Sequence, residues 1–111
     1  MIEITIKKYL EEVIGIKVYL EMPNAEADKF IVFEKTGSGR ENQLDSSTFA
    51  FQSYAPSLYE ASVLNDRVKD ALFNMVRLPE FSKITLNSDY NFTDLTTKRY
   101  RYQAVFNIYH Y

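Results

Sequence analysis

The residues able to do acid–base, nucleophilic or metal chemistry are few and poorly spaced for it. His110 is the single histidine, second from the end of 111 residues, and the chain has no cysteine. A Ser–His–acid relay would have to run through His110, and no Gly-x-Ser-x-Gly turn accompanies it. The expectation is a strand-end histidine facing solvent. With no thiolate and one imidazole, zinc and copper lack their ordinary ligands. The fifteen acidic residues leave only an all-carboxylate magnesium site open. Glu34 and Lys35 are adjacent, which misses the acid–spacer–lysine pattern of nucleases. Gly37-Ser38-Gly39 invites a phosphate-loop reading that its surroundings reject. A dinucleotide fingerprint needs a third glycine where Asn42 stands, and a P-loop needs Gly-Lys-Ser/Thr where Gly39-Arg40-Glu41 stands. No catalytic residue, metal or cofactor is expected, and the chain reads as a non-enzyme.

Binding is the other class of chemistry. Lys98-Arg99-Tyr100-Arg101-Tyr102 interleaves basic and aromatic residues, as single-strand-binding sheets do. Strand alternation, however, sends the tyrosines to one face and the arginines to the other. The formal charge is −2, unfavourable for phosphate neutralisation, so no specific nucleic acid is expected. Nine tyrosines and eight phenylalanines make the aromatic share 15%, more than a small core needs. They are dense in Tyr90, Phe92, Tyr100, Tyr102, Phe106, Tyr109 and Tyr111, the mark of a partner surface. No stretch of about 18 apolar residues predicts a membrane span. The start, Met1-Ile2-Glu3-Ile4, lacks the basic then apolar pattern of a secretory signal, which makes the cytoplasm the expected site of synthesis.

The elements that would position these residues follow from periodicity. Ile2, Ile6, Tyr9, Leu10 and Val13 share a helical face, and Gly15 stands where a C-cap belongs. Residues 16–22 read as a strand, and residues 29–35 as a strand buried on both faces. The polar stretch Thr36 to Asp45 reads as a loop too long for a tight turn. Residues 47–54 resume alternation, with Phe49 and Phe51 on one side. Ser57 and Glu60 have capping-box spacing, opening a helix whose apolar stripe is Ala61, Leu64, Val68, Ala71, Leu72 and Met75, with Pro79 at its end. Strands over 83–90 and 98–110 close a single domain covering 1–111. Within the last, Tyr100, Tyr102, Ala104, Phe106 and Ile108 oppose Arg99, Arg101, Gln103 and Asn107. The order α-β-β-β-α-β-β predicts an α+β fold, a mainly antiparallel sheet flanked by two helices.

Two stretches carry a family resemblance. One runs from Phe30-Ile31-Val32-Phe33-Glu34-Lys35-Thr36-Gly37-Ser38-Gly39-Arg40-Glu41-Asn42 through Gln52-Ser53-Tyr54-Ala55-Pro56-Ser57-Leu58-Tyr59-Glu60-Ala61. The other runs from Leu86-Asn87-Ser88-Asp89-Tyr90-Asn91-Phe92-Thr93-Asp94 into Arg99-Tyr100-Arg101-Tyr102-Gln103-Ala104-Val105-Phe106. Together they resemble tail-terminator (tail-completion) proteins of long-tailed phages and prophages of Gram-positive bacteria. The resemblance implies a virion structural protein, assembled in the host cytoplasm and resident in the tail. It implies a ring of like subunits, commonly a hexamer, that caps the head-proximal end of the tail tube. Its implied partners are itself, the major tail tube protein and the head connector or head-completion protein. Other expectations are a head-closure or adaptor protein and, in a different class, a small nucleic-acid-binding protein of a mobile element. For a ring, the extended polar segment and the solvent-side arginines make Arg40, Glu41, Arg99 and Arg101 the candidate interface residues.

Overall fold

A computed structural model describes residues 2–24, 27–41, 44–94, 96 and 99–111. The order is α1 (Ile2–Ile14), β1 (Val18–Tyr19), β2 (Phe30–Glu41), β3 (Leu44–Ala55), α2 (Leu58–Asn74), a 3₁₀ turn over Met75–Arg77, β4 (Phe81–Asn91) and β5 (Tyr100–His110). The fold is α+β, with two helices and a five-stranded mixed sheet in the order β1-β2-β3-β5-β4. β1 is parallel to β2, and the other three pairings are antiparallel. The expected succession of elements needs adjustment in detail: a 3₁₀ turn separates α2 from β4, and the strand expected over 16–22 shrinks to Val18–Tyr19.

Local chemistry accounts for the helices. α1 buries Ile6, Leu10 and Ile14, one side of a 3.6-residue repeat. It stops at Gly15, whose φ of 77° suits a residue without Cβ and whose amide donates to Glu11 O at 2.9 Å. Glu11 then ties the helix to the sheet. One carboxylate oxygen accepts from the Val18 amide at 3.1 Å and the other from Lys7 Nζ at 3.1 Å. Burial pushes this carboxyl's pKa up, but the Val18 amide and the Lys7 and Lys17 charges outweigh it, and the net shift is downward. A lowered folded-state pKa contributes stability above the unfolded value that is lost as pH falls through the folded one. Glu11→Gln should therefore flatten the loss of stability below about pH 4.5, read by urea midpoints across an acid series. An unchanged slope would contradict the pairing.

α2 begins with the expected Ser57 cap, whose hydroxyl accepts from the Glu60 amide at 3.2 Å. The Glu60 carboxylate meets the Ser57 hydroxyl, at 3.0 Å, where the sequence pattern predicts the amide. The stripe Ala61, Leu64, Val68, Ala71 and Leu72 is buried. Both helices lie on one face of the sheet, over Ile31, Phe33, Phe49, Phe51, Ala104, Phe106 and Ile108. Tyr9 joins them, its hydroxyl donating to Ala71 O at 2.7 Å.

The polar segment 36–45 is a correction. Its described residues are strand: β2 runs on to Glu41 and β3 starts at Leu44, paired from Glu41↔Leu44 up to Phe30↔Tyr54, while Asn42 and Gln43 lie outside the described residues. Polar residues form the ladder here because the arms reach past the core, so neither face demands apolar side chains. The both-faces-buried reading holds for Phe30, Ile31, Val32 and Phe33 and ends at Glu34, which is exposed.

His110 is a second correction. It is 9% exposed, with Nε2 3.2 Å from Ser47 Oγ, opposite Asp45 and Phe81 in the ladder. Register decides this, because His110 continues the core-facing set of Ala104, Phe106 and Ile108. Ser53 is buried on the same face, and its Oγ has no hydrogen-bond partner among the described residues. An unsatisfied buried hydroxyl is costly, so Ser53→Ala should raise unfolding free energy by about 1 kcal/mol. A loss of stability would point to an undetected partner.

Candidate functional site

Of the candidate residues, Arg101 lies on the helix-free face of the sheet. Alternation within β5 holds: Tyr102, Ala104, Phe106 and Ile108 pair with core-facing residues of β3, and Arg101 and Gln103 lie opposite Tyr54 and Gln52. Arg101 nonetheless sits among aromatics, because neighbouring strands supply them. Its guanidinium lies 4.4 Å from the Phe92 ring centroid and 5.7 Å from that of Tyr54. Tyr54 stacks on Phe30 at 4.6 Å and 6°, and Phe30 meets Tyr19 edge-on at 6.2 Å. Tracking one strand at a time misses this surface. The registers of β2 on β3, β3 on β5 and β5 on β4 together reveal it.

Hydrogen bonds run in one direction across this face. Arg101 donates Nε to Phe92 O at 2.6 Å and a terminal nitrogen to Tyr54 Oη at 2.7 Å. Tyr54 donates to Gln52 Oε1 at 3.1 Å, and Gln52 Nε2 donates to Gln103 Oε1 at 2.9 Å. Gln103 Nε2 then donates to Tyr90 Oη. Each member donates onward, an arrangement in which successive bonds polarise one another. The relay ends at Tyr90, 41% exposed, whose hydroxyl donates to no acceptor among the described residues. At the other end of the relay, beside Arg101 and Tyr54, a cleft of about 490 Å³ is lined by Leu20, Met22, Val32, Glu34 and Arg99.

The four expected interface residues do not form one site. Arg99 and Arg101 border the cleft, whereas Arg40 and Glu41 lie at the far end of the β2–β3 hairpin. Arg101 pairs with Tyr54, and His110 with Asp45, which opposes Arg40. The two groups are therefore separated by the length of β5, roughly 30 Å at the usual strand rise. Arg40 Nε stands 3.9 Å from Asp45 in an exposed pair. Lys98 and the side chain of Glu41 lie outside the described residues. Among the described residues, no group of three or more His, Asp or Glu is placed to hold a metal ion, and no helix is long and apolar enough to cross a membrane.

Among the described residues the sheet also has two uncovered margins, which the sequence reading did not single out. β1 covers β2 only at Ile31 and Val32, and residues 34–40 are exposed throughout. β4 is the other edge. Beside it Phe73, Val76 and Leu86 are 43%, 40% and 38% exposed, although Phe73 packs edge-on against Phe106 at 5.3 Å. Comparison of the chain with protein-family models and with curated proteins finds no match. What the chain does must therefore be argued from these surfaces.

Proposed function

We propose that the chain is a virion structural subunit of the tail-terminator type. It would join like copies in a ring at the head-proximal end of a phage tail tube, halting tube growth and presenting a seat for the head connector. The observation that carries this reading is the pair of uncovered margins on opposite sides of one sheet. A subunit with two different free edges repeats head to tail, and such heterologous contacts form rings when their rotation closes. The aromatic and polar helix-free face then remains for partners above and below the ring, the tube protein and the connector. The resemblance described above adds to the reading the identity of those partners and the usual count of six.

An adaptor role at the head–tail joint is the second reading. It is favoured by the cleft beside Arg101, whose mixed apolar and charged lining suits an extended segment of a different protein. Single-stranded nucleic acid is disfavoured, because two guanidinium nitrogens of Arg101 are already donating to Phe92 O and Tyr54 Oη. The test is co-sedimentation of the labelled protein with tail tubes, followed by electron microscopy. Label at one end of each tube supports termination. Label only on isolated heads or connectors favours the adaptor, and label along the tube wall refutes both.

A further inference from the structure

The two free edges can be compared residue by residue. The Ile31 amide donates to Lys17 O, so it points away from β3, and alternation sends Phe33 and Lys35 the same way. A bulge between Lys35 and Gly37 shifts the phase by one, after which Ser38 and Arg40 point outward. On β4, the Phe92 amide donates inward to Arg101 O, which leaves Asn91 and Asp89 pointing outward. A bulge between Leu86 and Ser88 again shifts the phase, after which Leu86 and Ile84 point outward.

From these placements we infer that copies of the chain join by adding the β2 edge of one to the β4 edge of the next. The pairs are Lys35 with Asp89, Ser38 with Leu86 and Arg40 with Ile84. Four properties meet in this one register. β2 and β4 run in opposite directions, because three antiparallel pairings separate them, so like-oriented copies meet antiparallel. The outward backbone groups coincide on both sides of the bulges, which themselves fall opposite each other. Shifting the register by one residue breaks the match on both sides, and shifting it by two keeps outward groups opposite each other but moves the two bulges out of step.

Faces agree as well. Lys35, paired with Phe49, and Asp89, paired with Ala104, both belong to the helix-bearing side. Lys35 falls opposite Asp89, whose carboxylate already accepts from Asn65 Nδ2 at 2.7 Å and pairs with Lys69 Nζ, so Lys35 would be a second cation on that carboxylate. Opposite-charge cross-strand pairs favour pairing and like pairs oppose it. The joint also brings the neighbouring copy up against Leu86, beside the exposed Phe73 and Val76. The inference names the contact by which a ring would form and to that extent rests on the ring reading. It commits to a second copy of this chain as the occupant of both edges.

Disulfide trapping tests it in a chain without native cysteine. A hydrogen-bonded antiparallel pair places its Cα atoms about 5.5 Å apart, within disulfide range. The double variant Ser38→Cys with Leu86→Cys should give a ladder of linked oligomers on oxidation. The offset pair Ser38→Cys with Thr85→Cys should give at least threefold less, and Ser38→Cys alone should give no dimer. Adding Lys35→Glu to the first pair should slow trapping roughly threefold. Ser38→Pro removes an outward N–H that no described residue of the monomer uses, so combined with the matched pair Arg40→Cys and Ile84→Cys it should abolish linkage while the circular dichroism stays native. Equal ladders from matched and offset pairs, no ladder, or a dimer from Ser38→Cys alone would overturn the pairing. A ladder ending in one closed species keeps both the joint and the ring. A ladder running into open filaments keeps the joint and overturns the ring. A closed ring that never links through 38 and 86 overturns the joint and leaves the ring reading standing.

Discussion

Truncating Phe51 to alanine should lower unfolding free energy by about 3–5 kcal/mol. Phe51 is fully buried and sits at the centre of the aromatic core. It stacks on Phe33 at 5.0 Å and 17° and meets Phe106 edge-on at 6.0 Å and 84°. Its loss removes transfer free energy and leaves a cavity that three rings cannot all collapse into. For a domain whose total stability is of order 5–15 kcal/mol, that is enough to populate the unfolded state. Urea unfolding followed by far-ultraviolet circular dichroism reads the effect. A change under about 1 kcal/mol, well below the usual cost of such a truncation, would mean the rings do not pack as described.

The second large effect is at Arg101. Arg101→Glu removes the hydrogen bonds to Phe92 O and Tyr54 Oη and places a carboxylate against the rings of Phe92 and Tyr54. Hydrogen bonds from charged donors contribute about 1.5–3 kcal/mol each, and partial exposure reduces the sum. A loss of about 2–3 kcal/mol follows. Arg40→Glu should by contrast change stability by under about 0.5 kcal/mol, since its pair with Asp45 is long and exposed. Both substitutions were natural choices for weakening assembly. The structure makes only Arg40 a clean one, because a defect at Arg101 begins with the fold. Equal denaturation midpoints for the two variants would contradict this distinction.

The helices were legible because their signals are local. Gly15 at a C-cap and Ser57 with Glu60 act over one turn, and the apolar stripe of α2 names its buried side without knowledge of the sheet. The face assignments within β5 were legible for the same reason, since alternation is a property of one strand. Residues 36–45 were misread because a polar segment is expected to be a loop, whereas the sheet extends past its core and needs no apolar residues there. His110 was misread because its position near the chain end says nothing of the Ser47 and Phe81 that enclose it. The surface around Arg101 and the matched edges of β2 and β4 depend on which residues lie side by side in different strands. No spacing within one segment carries that information.

At the core of this reading is length control: a ring of these subunits stops a tail tube from growing. The direct measurement is the distribution of tail lengths, by electron microscopy, from particles assembled with and without the protein. The proposal predicts tails of uniform length when it is present and tubes of uncontrolled length, without attached heads, when it is absent. Tails of normal, uniform length in its absence would contradict it.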